Sequence, residues 1–380
     1  MRRFVCSLFL CLSCLALAGC VNHSAQEAPA PIALQIQVAT QIETVAQRRA
    51  GEIAASMSLE EKVAQLFFVR CPEQNAAELV AQYQPGGFIL FGRDFSGQTK
   101  QSMQQQIASY QAEAKIPLLI GVDEEGGTVN RISRYPAFRA APFWSPQALY
   151  REGGWELVRS DTEEKADLLL SLGINVNLAP VCDVSTNPND YIYDRSFGAD
   201  APATAEYVRQ VVGVMKEKGL GAVLKHFPGY GNNVDTHSGS AQDSRPYSQF
   251  WESDFLPFAA GIQAGADCIL VSHNIVEAID ATAPASLSAE MHRVLRETLA
   301  FEGVILSDDL VMQAVQDFAG EEEAAVLALL AGNDLLCCTN FEIQYQAVLQ
   351  AAREGTLPQE VLEAALQRVL LWKLELGLLA

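Results

Sequence analysis

The chain has 380 residues, 49% of them hydrophobic and 19% charged, with 26 glycines and 16 prolines. That balance excludes a disordered, collagen-like or multi-span membrane protein and suits one large domain or two ordinary ones. Acidic side chains (46) outnumber Lys plus Arg (26), and the formal net charge of −20 repels phosphate backbones, so no nucleic-acid partner is expected.

At the N-terminus, Arg2 and Arg3 precede an apolar run from Phe4 to Leu17, followed by Leu17-Ala18-Gly19-Cys20. A basic start, a short apolar stretch and small residues before a cut describe a secretory leader, and the run is short for a membrane span. The four residues ending in Cys20 resemble the bacterial lipobox, which implies cleavage after Gly19, lipidation of Cys20 and anchoring to the membrane outside the cytoplasm. Loss of Arg2 and Arg3 would take the formal charge to −22. Residues 20–46, with Pro29 and Pro31 among Ala, Gln and Ser, read as a flexible tether.

From residue 47 onward, short apolar runs alternate with amphipathic segments. The runs are Ala64–Val69, Gly86–Phe91, Pro117–Asp123, Asn175–Pro180, Gly221–His226, Cys268–His273, Gly303–Asp308 and Asn333–Cys338. Continuous apolar runs suit parallel strands buried on both faces, and helical patterns such as Thr204–Lys218 and Glu321–Ala331 lie between them. Eight strands alternating with helices is the arithmetic of a single (β/α)8 TIM barrel spanning 47–380, with long loops at Glu124–Gly154 and Phe227–Gln249. A doubly wound sheet fits the same count, because strand order is not written in one sequence. The cysteines left after the leader and Cys20 are Cys71, Cys182, Cys268, Cys337 and Cys338; their odd number and apolar settings suit small buried hydrophobes rather than a disulfide framework.

Chemistry-bearing residues gather at one end of these runs. Asp123, Lys225, His226, His273 and Asp308 all stand at or just past the C-terminal end of a predicted strand, the catalytic rim of a barrel. Any one could cap a helix or satisfy a loop; several on one rim argue for a shared site. After the fifth run comes Lys225-His226-Phe227-Pro228-Gly229-Tyr230-Gly231-Asn232-Asn233-Val234-Asp235-Thr236-His237. In an extended loop Asp235 and His237 can point the same way, so the carboxylate orients the imidazole and raises its pKa toward the range that acid–base catalysis needs. The seventh run delivers Asp308 to the rim, where a carboxylate can act as a nucleophile. Strand alternation turns Asp309 elsewhere, toward capping the following helix. His273 suits a structural role, and His23 and His292 read as tether and helix-surface residues. Glu321, Glu322 and Glu323 read as a solvated helix start.

Lys-His-Phe-Pro-Gly-x-Gly followed by Asp-x-His resembles the bacterial β-N-acetylglucosaminidases of glycoside hydrolase family 3. So do Met57–Gln65, Pro85–Phe91, Val122–Gly127 with Arg131, Asn177–Pro180, Asp194–Phe197, Pro284–Ser288 and the ending Leu371–Leu378. The resemblance implies a retaining, exo-acting hydrolase without metal or organic cofactor, acting as a monomer on terminal GlcNAc of peptidoglycan fragments or chitooligosaccharides. Asp308 would form the covalent glycosyl-enzyme and His237, held by Asp235, would serve as acid and base. Asp123, Arg131, Arg195, Lys225 and His226 match positions that grip the sugar, and Met312 matches one that packs near it. The loop before Asp235 is a residue shorter than in many members, and Tyr230 stands where His is frequent. Rival readings are a β-glucosidase, β-xylosidase or GlcNAc phosphorylase of the same family, a non-catalytic sugar-binding lipoprotein, and a Schiff-base aldolase using Lys225.

Overall fold

A computed structural model describes residues 45–233 and 241–379. Each of the eight apolar runs contains a strand: β1 (Phe67–Arg70), β2 (Gly87–Leu90), β3 (Leu119–Val122), β4 (Val176–Asn177), β5 (Gly221–Phe227), β6 (Cys268–Val271), β7 (Val304–Ser307) and β8 (Leu336–Cys338). They pair in parallel in chain order, and β8 returns to β1 with Leu336 opposite Phe67. A bridge between Leu306 and Leu335 joins β7 to β8 and closes the ring, which an open doubly wound sheet does not do. The fold is the (β/α)8 barrel expected from the strand count.

Side-chain alternation divides each strand between two cores. Phe68, Ile89, Leu119, Val223, Leu270, Leu306 and Cys337 fill the barrel. Phe67, Val69, Phe88, Leu90, Ile120, Leu224 and Ile305 face outward against the helices. Val369 and Trp372, on the C-terminal helix Gln359–Glu375, pack against the inner cluster. The same period of two sets up the rim. Arg70, Phe91, Lys225 and Asp308 each come two residues after an inward side chain (Phe68, Ile89, Val223 and Leu306), so the strands present them on the inward side of the top layer. Asp123 follows Gly121 in the same way; a Cβ on Gly121 would lie 2.5 Å from the Phe68 ring inside the barrel.

Two expectations are corrected. The loop after β3 ends at Ser145 rather than Gly154: Ser145 accepts a hydrogen bond from the Ala148 amide, Pro146 opens the helix Pro146–Ser171, and Gly154 (φ 61°) is a kink within that helix. His292 is not a helix-surface residue. It is buried, its Nδ1 bonded to the Ser288 carbonyl one turn back, and burial pushes its pKa down. The loop after β5 carries a short strand, Gln242–Asp243, which pairs with Ile275–Val276 beyond β6. Cys71, Cys182, Cys268, Cys337 and Cys338 are buried free thiols. The leader, Cys20 and His23 lie outside the described residues, among which no helix is long and apolar enough to cross a membrane.

Candidate active site

A cavity of about 560 Å³ opens at the C-terminal end of the barrel, and Asp123, Arg131, Arg195, Lys225, His226, Asp308 and Met312 all line it. These residues come from β3, β5, β7 and the loops after β3, β4 and β7, so only barrel closure brings them together. Asp235 and His237 lie outside the described residues; the loop that carries them leaves β5 beside the cavity, where Tyr230 is part of the wall.

One polar chain organises the wall. The Lys225 ammonium, 2% exposed, donates to Asp123 Oδ1 at 2.5 Å and lies 2.6 Å from Glu125 Oε1. Arg195 grips Glu125 with two parallel bonds of 3.0 and 2.8 Å, the bidentate geometry that holds a guanidinium most rigidly. Arg195 Nη2 also lies 3.0 Å from His226 Nε2. A guanidinium can only donate, so Nε2 accepts and the imidazole proton sits on Nδ1, 2.8 Å from Asp183 Oδ2. Asp183 is fully buried and also accepts from the backbone N–H groups of His226 (3.1 Å) and Tyr230 (2.7 Å). The order is thus Asp123, Lys225, Glu125, Arg195, His226, Asp183, in which charges alternate as far as Arg195 and the imidazole links Arg195 to Asp183.

The charges are set by that order. Burial would push the Glu125 carboxyl up, but Lys225 and Arg195 outweigh it and hold it well below the usual carboxylate range. Burial would likewise lower the Lys225 ammonium, and the Asp123 and Glu125 carboxylates instead raise it. Lys225 therefore remains a cation and hydrogen-bond donor, a state that suits gripping hydroxyls and opposes Schiff-base chemistry, which needs the free amine. A register shift in β5 between Leu224 and Phe227 lets the consecutive Lys225 and His226 both face the cavity.

Opposite this wall, the end of β7 carries both aspartates. The Asp308 amide donates to the Val271 carbonyl on β6, and Asp308 Oδ1 accepts from the Asp309 amide at 2.8 Å. Asp309 is not a helix cap. Its carboxylate takes the Thr339 hydroxyl (2.5 Å) and amide (3.2 Å) and so ties the end of β7 to the end of β8. His273 donates from Nε2 to the Asp309 carbonyl at 3.1 Å and accepts the Ser286 hydroxyl at Nδ1, a support behind the end of β7. Among the described residues no cluster of three or more His, Cys, Asp or Glu forms a metal site.

The comparisons agree with this geometry. Residues 58–371 match the profile of the glycosyl hydrolase family 3 N-terminal domain. The chain belongs to glycosyl hydrolase family 3. A β-hexosaminidase of Xanthomonas campestris pv. campestris is 35% identical over 276 residues, 71% of this chain and 82% of that protein. One from Nitrosomonas eutropha is 33% identical over 74% of this chain and 84% of its own. Among solved structures, a family 3 β-N-acetylglucosaminidase from Paenibacillus sp. superposes with a TM-score of 0.79 at 28% identity over 85% of this chain. This chain spans only 63% of that longer protein. LpqI of M. tuberculosis has a TM-score of 0.76 at 30% identity, covering 84% of this chain and 94% of its own. The present protein is accordingly a family 3 glycoside hydrolase of the β-hexosaminidase type.

Two residues of the family 3 cavity, Glu125 and Arg70, and one buried behind it, Asp183, escape sequence reading. Glu125 was in view in Val122–Gly127, but nothing local says which of its acidic residues faces the site. In the fold Glu124 is consumed by the Arg131, Ile132 and Ser133 amides, leaving Glu125 for the cations. Asp183 follows the Asn177–Pro180 motif by three residues, and only its burial against His226 marks it. Arg70, at the end of β1, carried no motif.

Proposed function

We propose that this family 3 enzyme is a retaining exo-β-N-acetylglucosaminidase acting outside the cytoplasm on terminal GlcNAc of peptidoglycan fragments or chitooligosaccharides. The observation that carries the reading is the Asp308 carboxylate, held at a strand end across the cavity from the Lys225–Glu125–Arg195–His226 array. Asp123, Lys225, Arg195 and His226 grip the hydroxyls and acetamido group of one sugar, Arg131 assists, and Met312 packs beside the ring. Asp308 attacks the anomeric carbon as the bond to the leaving oxygen breaks, and His237, oriented by Asp235, gives that oxygen its proton. Water then attacks the glycosyl ester, His237 takes its proton back, and Asp308 leaves as a carboxylate. The Leu-Ala-Gly-Cys sequence supports a lipid anchor at Cys20.

Residues 21–380 are assayed on chromogenic β-GlcNAc and β-glucoside substrates, with D308A and H237A as controls. Cleavage of the GlcNAc substrate, lost in both variants, supports the mechanism. Preference for glucose moves the enzyme to the β-glucosidase branch and removes the role given to the Asp235–His237 pair. No cleavage of either, with or without phosphate, leaves the sugar-binding lipoprotein.

A further inference from the structure

Two features have no part in that mechanism: His273, just past β6, and the Pro284–Ser288 stretch of the family resemblance. The fold brings them together. His273, Ser286 and Asn333 are all buried. A carbonyl can only accept, so the 3.1 Å contact with the Asp309 carbonyl puts a proton on His273 Nε2. In the neutral ring Nδ1 is then an acceptor, and the Ser286 hydroxyl donates to it at 2.7 Å. Ser286 is held in turn. Its amide donates to the Ser272 carbonyl at 3.0 Å, and its carbonyl accepts from Asn333 Nδ2 at 2.7 Å. This arrangement selects one tautomer and one orientation of the imidazole.

What His273 holds is Asp309. The Asp309 carbonyl accepts from His273 and, closing a turn, from the Met312 amide at 3.0 Å. The Asp309 carboxylate takes the Thr339 hydroxyl and amide, just past β8. With carbonyl and carboxylate both tied, Asp309 has little freedom to rotate, and its amide stays aimed at Asp308 Oδ1, 2.8 Å away. The rate of an attack depends on the attacking group being held close to its productive geometry, and a displacement of about 1 Å can cost about a hundredfold. Such precision comes from the residues packed behind the group that reacts. We propose that His273 is a positioning residue for Asp308: its Nε2–H fixes the Asp309 backbone, the Asp309 amide orients the Asp308 carboxylate, and Ser286 keeps the imidazole in the tautomer that can donate. His273 thereby serves the attack on the sugar rather than the grip on it, which lies with the Lys225–Arg195 wall.

The proposal rests on the hydrolase reading with Asp308 as nucleophile, and the test separates the two. H273Q and H273N divide the contacts of the ring. A glutamine amide nitrogen reaches about as far as Nε2 and can still donate to the Asp309 carbonyl; an asparagine reaches only as far as Nδ1 and can pair with Ser286 alone. The substrate is 2,4-dinitrophenyl β-GlcNAc, whose leaving group needs no proton, so that kcat/KM reports the attack; the Ki of free GlcNAc reports the grip on the sugar. H273N should lower kcat/KM about tenfold or more while Ki stays within about twofold, and H273Q should stay within about threefold of the parent. A smaller loss in H273N, an equal loss in H273Q, or a rise in Ki that accounts for the loss overturns the proposal, because a merely structural histidine has no reason to spare glutamine. If H273N does not fold, S286A carries the test: a loss of about threefold or more in kcat/KM at constant Ki supports the proposal, and an unchanged kcat/KM overturns it. A parent that releases no dinitrophenolate, or a D308N variant as active as the parent, removes the hydrolase reading and this proposal with it. A parent that needs Asp308 and is indifferent to His273 removes this proposal alone.

Discussion

At the residue scale the active site is a set of paired charges facing the Asp308 carboxylate at the end of β7. D308N keeps the shape and removes the nucleophile proposed above, so kcat on a β-GlcNAc substrate should fall by about three orders of magnitude or more while the melting temperature holds. A loss below tenfold would deny Asp308 that role. Glu125 poses a different case, because it is buried between Lys225 and Arg195. E125Q removes the shared anion and should cost on the order of 3 kcal/mol in unfolding free energy, read from denaturant midpoints. Its pKa is depressed in the fold, so its contribution is present above the unfolded carboxylate value and is lost as pH falls through the lower folded one. The gap between parent and E125Q should therefore stay constant from pH 8 to 5 and close only in stronger acid. Asp308 and Lys225 were legible in the sequence because strand ends announce the rim. Glu125 and Asp183 were not, because a buried pair is a relation between elements and has no local pattern.

Elements fix where these residues stand. Arg245 ties both feet of the loop after β5 to the following helical segment: it donates to Asp243 (2.7 Å), to Asp254 (3.0 Å) and to the Gly229 carbonyl (3.2 Å). Gly229 (φ 116°) and Gly231 (φ 56°) permit the approach; a Cβ on either would lie 2.5 Å from Asp254 or Arg245 respectively. If His237 is the acid proposed above, R245M should lower kcat/KM for a poor leaving group, which needs a proton, much more than for 2,4-dinitrophenolate, which does not; equal losses would reduce Arg245 to a stabilising contact. At the other end, the helix Gln359–Glu375 buries Lys373, whose ammonium donates to Gln65 at 2.6 Å. Burial pushes its pKa down to about 7, so below that pH the native state carries a buried charge, and between about 7 and 10 unfolding takes up a proton. Stability of the parent thus rises with pH across that window. K373M lacks the titration, and its advantage over the parent should shrink by about 3 kcal/mol between pH 6 and pH 9. The helix periodicity gave no warning of this lysine, since its burial depends on where Gln65 lies.

For the whole molecule, the open question is where it works. If Cys20 carries lipid, the full chain made in a bacterial host should partition with membranes and incorporate labelled fatty acid, and C20S should do neither; a C20S protein that stays in the membrane fraction would return the leader to an ordinary span or signal. The extreme charge of −20 bears on the same point, since electrostatic attraction would not hold so anionic a chain at an anionic lipid surface.

What the sequence determined by itself was the periodic part. Eight apolar runs, their alternation and the strand-end polar residues follow from local spacing, and they put Asp123, Lys225, His226 and Asp308 at the C-terminal ends of parallel strands, with a barrel expected and a doubly wound sheet still open. What only the tertiary structure decided was pairing: that β8 meets β1, that Glu125 rather than Glu124 faces the cations, and that His226 lies between Arg195 and Asp183. Alternation is a property of one strand and can be counted along it. Charge compensation depends on distances between strands far apart in the chain, and those distances exist only once the ring has closed.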